Sequence, residues 1–264
     1  MRYSIFTKPY KDTPPALLGE KVRGMGFDAI EFPLRPGYQV EPEDAERELP
    51  KLSDTLKNCG VAISSVAGPT DEVCFAGCAA AGIKIIRIMA TVDAGVRYLE
   101  WEKRYKEYLA GLIPLCERYG VTVGIQNHSG RYVAATMELY RLIEDFDPHI
   151  AAVWDAGHSG LMGEEPEQAL DIIYDRMCLI NFKNAYYRRT NGYEAKRAAW
   201  LRQFTVGRQG LADFPRITAY LKDRGYSRDI CLPAEYTEEP EYDGDPLIDT
   251  LACEDLAYVK SLME

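Results

Sequence analysis

Four short segments place polar and titratable side chains directly after apolar runs: Gln126-Asn127-His128-Ser129-Gly130, Asp155-Ala156-Gly157-His158, Asn181-Phe182-Lys183-Asn184 and Glu235-Tyr236. Lys8 and Glu31 end two earlier runs in the same way, and a further run leads to Met89 and Thr91. Two of the chain's three histidines belong to this set. Carboxylates, imidazoles and an ammonium can grip a polar ligand and exchange protons with it. His158 is flanked by Gly157 and Gly160, which suits close approach of a ligand; the alternative is a loop histidine satisfied by backbone. His128 reads equally as a ligand contact or as a loop hydrogen bond. Lys183 would be costly to bury unpaired, so it is expected to touch a ligand or to pair with Asp155 or Glu31.

Such groups meet only if the runs before them lie side by side. The strand candidates are residues 3–7, 29–32, 61–66, 83–89, 121–126, 150–155, 178–182 and 229–234. Between and after them, helical patterns cover 14–25, 42–58, 72–80, 98–119, 136–145, 166–175, 214–223 and 248–263. Thr13 ahead of Pro14-Pro15 resembles an N-cap followed by a first-turn proline. Glu164, Glu165 and Glu167 around Pro166 put negative charge where a helix start is positive. Eight strand-then-helix units with no separating linker predict an α/β fold, a single (β/α)8 TIM barrel, as one domain over 1–264. No G-x-G-x-x-G follows the first strand, which argues against an open dinucleotide-binding sheet. In a barrel, chemistry sits at the C-terminal strand ends, where the four segments fall.

Composition narrows the partners. The chain has 31 Lys+Arg against 41 Asp+Glu, a net charge of −10, and no basic cluster of the kind that displaces counterions from nucleic acid. No run approaches the roughly 18 apolar residues of a membrane span, and the N-terminus shows no apolar signal segment. Seven cysteines, an odd number without a C-x-x-C, fit reduced thiols and a cytoplasmic protein. Cys74 and Cys78, one helical turn apart in an alanine-rich stretch, are expected to pack, a metal pair being the alternative.

With these residues in view, the chain resembles the xylose isomerase-like barrels, the sugar and sugar-phosphate isomerase/epimerase superfamily. The matching pieces are residues 24–31 (GMGFDAIE), Gln126-Asn127-His128, Asp155-Ala156-Gly157-His158, Asn181-Phe182-Lys183-Asn184, residues 207–214 (GRQGLADF), and Arg224-Gly225-Tyr226 leading to Glu235. They fall in order across nearly the whole chain. The resemblance implies one divalent cation held by Glu, Asp, His and Glu after strands five to eight. Asp155 and Glu235 match; Gln126 and Asn181 stand at the other two positions. The implied ligand charge drops from −3 to −2, so Mg²⁺, Mn²⁺ or Ca²⁺ would be held weakly. The other expectation is no cation, with Lys183 offsetting the carboxylates. The DNA-repair branch, which needs a histidine-rich multi-zinc site, is excluded by three histidines and the acidic balance.

The resemblance also implies proton transfer next to a carbonyl on a small carbohydrate, normally by paired glutamates. Gln126 cannot accept a proton, so Glu235 remains, with His158, Lys183 and His128 as candidates for the second acid/base. The catalytic assignments expected are therefore Glu235, His158 and Lys183; His128, Glu31 and Arg188 are expected to contact substrate. Residues 185–193, long for a loop after strand seven, suggest a lid whose aromatics and arginines stack on a sugar and grip an anion. Those aromatics, with Trp200, serve equally well to pack a second subunit in a homo-oligomer. An enzyme is favoured because Asp155, His158, Lys183 and Glu235 still converge. A non-catalytic sugar- or cyclitol-binding barrel is the alternative, supported by the changes at Gln126 and Asn181.

Overall fold

The computed structural model describes residues 1–236 and 246–264. Among them, eight parallel strands close into a barrel: β1 (Tyr3–Phe6), β2 (Ala29–Pro33), β3 (Ala62–Ala67), β4 (Ile85–Met89), β5 (Thr122–Gln126), β6 (Ile150–Asp155), β7 (Met177–Asn181) and β10 (Ile230–Leu232). They follow one another around the ring in chain order, with β10 closing between β7 and β1. An antiparallel hairpin, β8 (Asn184–Arg189) and β9 (Trp200–Thr205), leaves the ring after β7. The helices are α1 (Pro15–Gly24), α2 (Ala45–Asn58), α3 (Glu72–Ala81), α4 (Tyr98–Tyr119) and α5 (Thr136–Ile143). Beyond these come α6 (Ala156–Leu161), α7 (Pro166–Ile173), α8 (Phe214–Asp223) and α9 (Pro246–Met263). No helix among the described residues is long and apolar enough to cross a membrane.

Strand alternation builds two separate interiors. Ile5, Ile30, Phe32, Ile86, Ile125, Trp154, Ile180 and Leu232 join the main apolar cluster with the helices. A smaller cluster, Phe6, Ala67, Val153, Leu179 and Cys231, takes one residue from each of five strands and fills the barrel axis. Asp155 and Asn181 lie two residues beyond Val153 and Leu179 and so share their inward phase nearer the C-terminal end, while Glu31, Arg87 and Gln126 come from β2, β4 and β5. Register then makes neighbours of residues distant in sequence: Phe6 pairs with Glu31, Met89 with Gln126, and Asn181 with both Asp155 and Cys231.

Three local expectations are corrected. Thr13 does not cap the first helix: Pro14 occupies the N-cap with no side-chain bond, and Pro15 opens the first turn, where its missing N–H is harmless. Residues 185–193 are not a free loop, because residues 184–189 pair with 200–205 as a hairpin. Gly157 and Gly160 serve packing rather than ligand approach. A Cβ on Gly157 would lie 2.8 Å from the Lys183 carbonyl oxygen, and one on Gly160 would lie 2.8 Å from the Ala212 nitrogen. These glycines let the short α6 press onto the chain after β7. Cys74 and Cys78 are both buried in the core, as their alanine-rich context implied.

Candidate active site

A cavity of about 110 Å³, open to solvent, lies at the C-terminal mouth of the barrel. Its walls include Lys8, Glu31, Arg87, Gln126, His128, Asn181, Lys183 and Glu235, with Phe6, Met89 and Arg35 completing one side. Asp155 lies just beneath, with no exposed surface.

The charges form two layers. In the deeper one, the Arg87 guanidinium, 6% exposed, meets the fully buried Glu31 carboxylate through two bonds, Nε to Oε1 at 2.8 Å and Nη2 to Oε2 at 2.9 Å. The Ser65 hydroxyl adds a third donor to Glu31 at 2.9 Å. Arg87 also donates to the Gln126 side-chain oxygen, and the Gln126 amide donates to Asp155 at 2.7 Å. Asp155 further accepts the His158 backbone N–H at 3.0 Å, capping α6, and the Asn181 amide at 3.5 Å. Burial raises the Asp155 carboxyl above its ordinary range, only partly opposed by Lys183.

In the outer layer the Lys183 ammonium bonds Glu235 at 2.8 Å and lies 3.8 Å from Asp155, so one cation touches both carboxylates. Lys8 holds the other Glu235 oxygen at 2.9 Å. Burial alone would raise the Glu235 carboxyl, but the two ammonium groups outweigh it and hold it well below the usual carboxylate range. The Phe204 ring of β9 lies 4.5 Å from the Lys183 nitrogen, so the hairpin base supports this lysine.

The histidines differ. His128 lines the cavity, and its Nδ1 donates to the Ser129 carbonyl at 2.9 Å, leaving Nε2 with the lone pair. His158 does not reach the cavity, which corrects the expectation of direct contact. It is wholly buried behind His128, ring centres 3.9 Å apart, and its Nδ1 accepts from the Ser129 backbone and hydroxyl. Arg202 donates to that same hydroxyl at 2.9 Å. Burial, followed by Lys183, lowers the His128 imidazole to about 3 and drives His158 well below its ordinary value. Both rings are neutral at pH 7.

That neutrality has a measurable consequence. Between pH 6.5 and about 3 the unfolded chain binds a proton at residue 128 that the folded chain does not, so this position removes stability as pH falls through that window. A His128→Phe variant is expected to lose part of its acid sensitivity there, by at most about 5 kcal/mol at the bottom of the window. Urea melts from pH 7 to 4 check this; parallel curves for the two proteins would sink it.

Of the other expected contacts, Glu31 faces the cavity but is fully engaged by Arg87. Arg188 is exposed on the outer part of β8 and is not among the cavity residues, because the hairpin carries it away from the mouth. Sequence reasoning placed Lys8 at a strand end without a role and passed over Arg87, Arg35 and Arg202. Arg87 had a readable signal, a charge inside the apolar strand Ile85-Ile86-Arg87-Ile88-Met89. Arg35, two residues beyond β2, had none.

The residues do not suit a divalent cation. Among the described residues no three His, Cys, Asp or Glu side chains are grouped to hold one. Amide N–H groups of Gln126 and Asn181 occupy Asp155, and two ammonium groups occupy Glu235. Lysine ammonium groups lie against both carboxylates.

Comparison with known proteins agrees with this architecture. Residues 20–251 match the family model described as xylose isomerase-like TIM barrel. Inosose dehydratase from Lacticaseibacillus casei is 29% identical over 142 residues, 52% of this chain and 47% of that protein, so the chain spans about half the length of this relative. D-psicose 3-epimerase from Clostridium cellulolyticum H10 superposes with a TM-score of 0.76 at 12% identity, covering 100% of both chains. The 3-keto-D-glucoside 4-epimerase from E. coli gives 0.72 at 14% identity over 99% of each. At these identities the two structures speak for the fold alone. With the family match spanning most of its length, the chain belongs to the xylose isomerase-like TIM barrels.

Proposed function

We propose that this protein moves a proton at the carbon next to a carbonyl in a sugar or sugar derivative. That step is common to ketose epimerisation and to loss of water from a keto-cyclitol. The observation that carries the reading is the Lys183–Glu235 contact, 2.8 Å, on the wall of the barrel-mouth cavity beside His128. Similarity to an inosose dehydratase supports the same reaction class.

A carboxylate held low by two lysines is a weak base at rest. When a substrate carbonyl oxygen takes the Lys183 ammonium, Glu235 loses one counter-charge and its basicity rises. Glu235 then takes the proton, the carbon's electron pair moves into the carbonyl, and the resulting enediolate oxygen is stabilised by the Lys183 N–H. Return of a proton to carbon gives an epimer or isomer. Departure of a neighbouring hydroxyl together with a proton gives dehydration. Neutral His128, with a free lone pair on Nε2, orients a substrate hydroxyl. His158 and Arg202 position His128 through Ser129 and ring contact.

The test is incubation with neutral and acidic keto-sugars and inososes in D₂O, following loss of the α-proton signal by NMR. Exchange with any of them supports the reading. Binding without exchange favours the ligand-binding barrel that the Gln126 and Asn181 amides suggested.

No step is routed through a metal, because the donor set does not fit one. Chelator-treated protein is expected to show no saturable Mn²⁺ binding at micromolar concentrations. The triple variant Gln126→Glu, Asn181→His, Lys183→Met adds a carboxylate and an imidazole and removes the competing ammonium, so it is expected to bind Mn²⁺ measurably. Tight Zn²⁺ or Mn²⁺ binding by the unmodified protein in the same titration would refute the fit argument.

A further inference from the structure

Among the described residues, charge pairing around the cavity leaves one cation over. Arg87 is matched by Glu31, while Lys8 and Lys183 are matched by Glu235 and Asp155. Arg35, on the same wall, has no carboxylate within ion-pair distance among the described residues. A local cation surplus in a chain of net charge −10 is not a by-product of composition.

Arg35 is also placed rather than free in solvent. It is half-buried, and its guanidinium lies over the Phe6 ring, 5.7 Å from the centre. It stands at the junction of the small cavity with an adjoining cleft of about 540 Å³, whose wall it shares with Arg87 and Met89. Arg87 is already saturated by Glu31 and Gln126, so Arg35 is the guanidinium still able to form a two-pronged contact with an oxyanion.

We infer that the substrate is anionic: a keto-sugar derivative bearing a carboxylate or phosphate, whose oxyanion is held by Arg35 while its carbonyl end lies at Lys183 and Glu235. The inference rests on the proposed proton transfer for the placement of the carbonyl end, but the oxyanion contact rests on the charge balance alone. Arg35 takes the anion-gripping part that the sequence suggested for Arg188.

The experiment is calorimetric binding of three probes, 5-keto-D-gluconate, D-fructose 6-phosphate and neutral D-fructose, to the wild type, Arg35→Met and Arg35→Lys. A thermal melt confirms that each variant is folded. At least one of the two anions is expected to bind about tenfold or more tightly than D-fructose, and the stronger arm separates carboxylate from phosphate. That advantage is expected to vanish in Arg35→Met and to persist in part in Arg35→Lys. Equal affinity for D-fructose and both anions, absence of binding by all three, or an anion preference untouched in Arg35→Met, overturns the inference. Deuterium exchange on the same probes is scored separately. Exchange without an anion preference leaves the proton-transfer reading standing, and an Arg35-dependent preference without exchange leaves the anion site standing.

Discussion

Glu235→Gln is expected to lower the rate of α-proton exchange by about 10²–10⁴-fold, the range for removal of a positioned acid or base. The amide keeps the size of the side chain, but its single oxygen can accept from only one of Lys8 and Lys183, so a thermal melt is needed beside the rate to show that the barrel mouth stays assembled. Lys183→Met is expected to fall in the same range for a different reason: it removes the cation that receives the enediolate charge. It also relieves Glu235 of one ammonium, so the carboxyl should titrate nearer its ordinary value. Because the depressed carboxyl of the wild type rises in this variant, residual activity should decline earlier as pH falls. Rates measured by NMR from pH 4 to 8 check both effects. Exchange in Glu235→Gln within a factor of three of wild type would remove Glu235 from the proposed role.

The second large effect concerns stability. Arg87→Leu is expected to cost about 3–5 kcal/mol, because it strands the fully buried Glu31 with only the Ser65 hydroxyl as a strong donor. It also deprives Gln126 of the bond that orients its amide toward Asp155. The double variant Glu31→Leu, Arg87→Leu removes both charges and is expected to recover most of the loss, since a buried pair replaced by apolar groups is often close to neutral. Urea denaturation of the three proteins gives the coupling directly. Additive losses in the double variant would mean that the two side chains act independently, contrary to the paired geometry.

The sequence by itself determined the architecture and the location of the site. Strand period, helix period and short connections are local properties. Eight alternating units therefore specify a barrel, and a barrel brings its strand ends to one rim. Hence Asp155, Lys183 and Glu235, spread over 80 residues, were readable as neighbours; the departure at Gln126 and Asn181 was implied only by the family resemblance. The limits of the expected elements were readable to within three residues, with α4, α8 and β6 as expected, whereas α6 and the β8–β9 hairpin were not read from the sequence.

Tertiary structure decided which charges pair. Glu31 and Arg87 are 56 residues apart and come from β2 and β4, which are not adjacent in the ring; their contact spans β3. Lys183 was expected to touch a ligand or to pair with Asp155 or Glu31; in space it bonds Glu235 at 2.8 Å and lies 3.8 Å from Asp155, while Glu31 is taken by Arg87. His158 shares its strand end with Asp155, yet the turn into α6 carries its ring behind His128 instead of into the cavity. The glycines beside it looked like room for a ligand because sequence shows a missing Cβ but not what lies opposite; here it is the backbone after β7 and near Ala212. Arg35 had no signal because an unmatched cation is defined only once every nearby carboxylate has been given its partner in space. Coulomb and desolvation energies depend on through-space distance and burial, and neither is encoded in spacing along the chain.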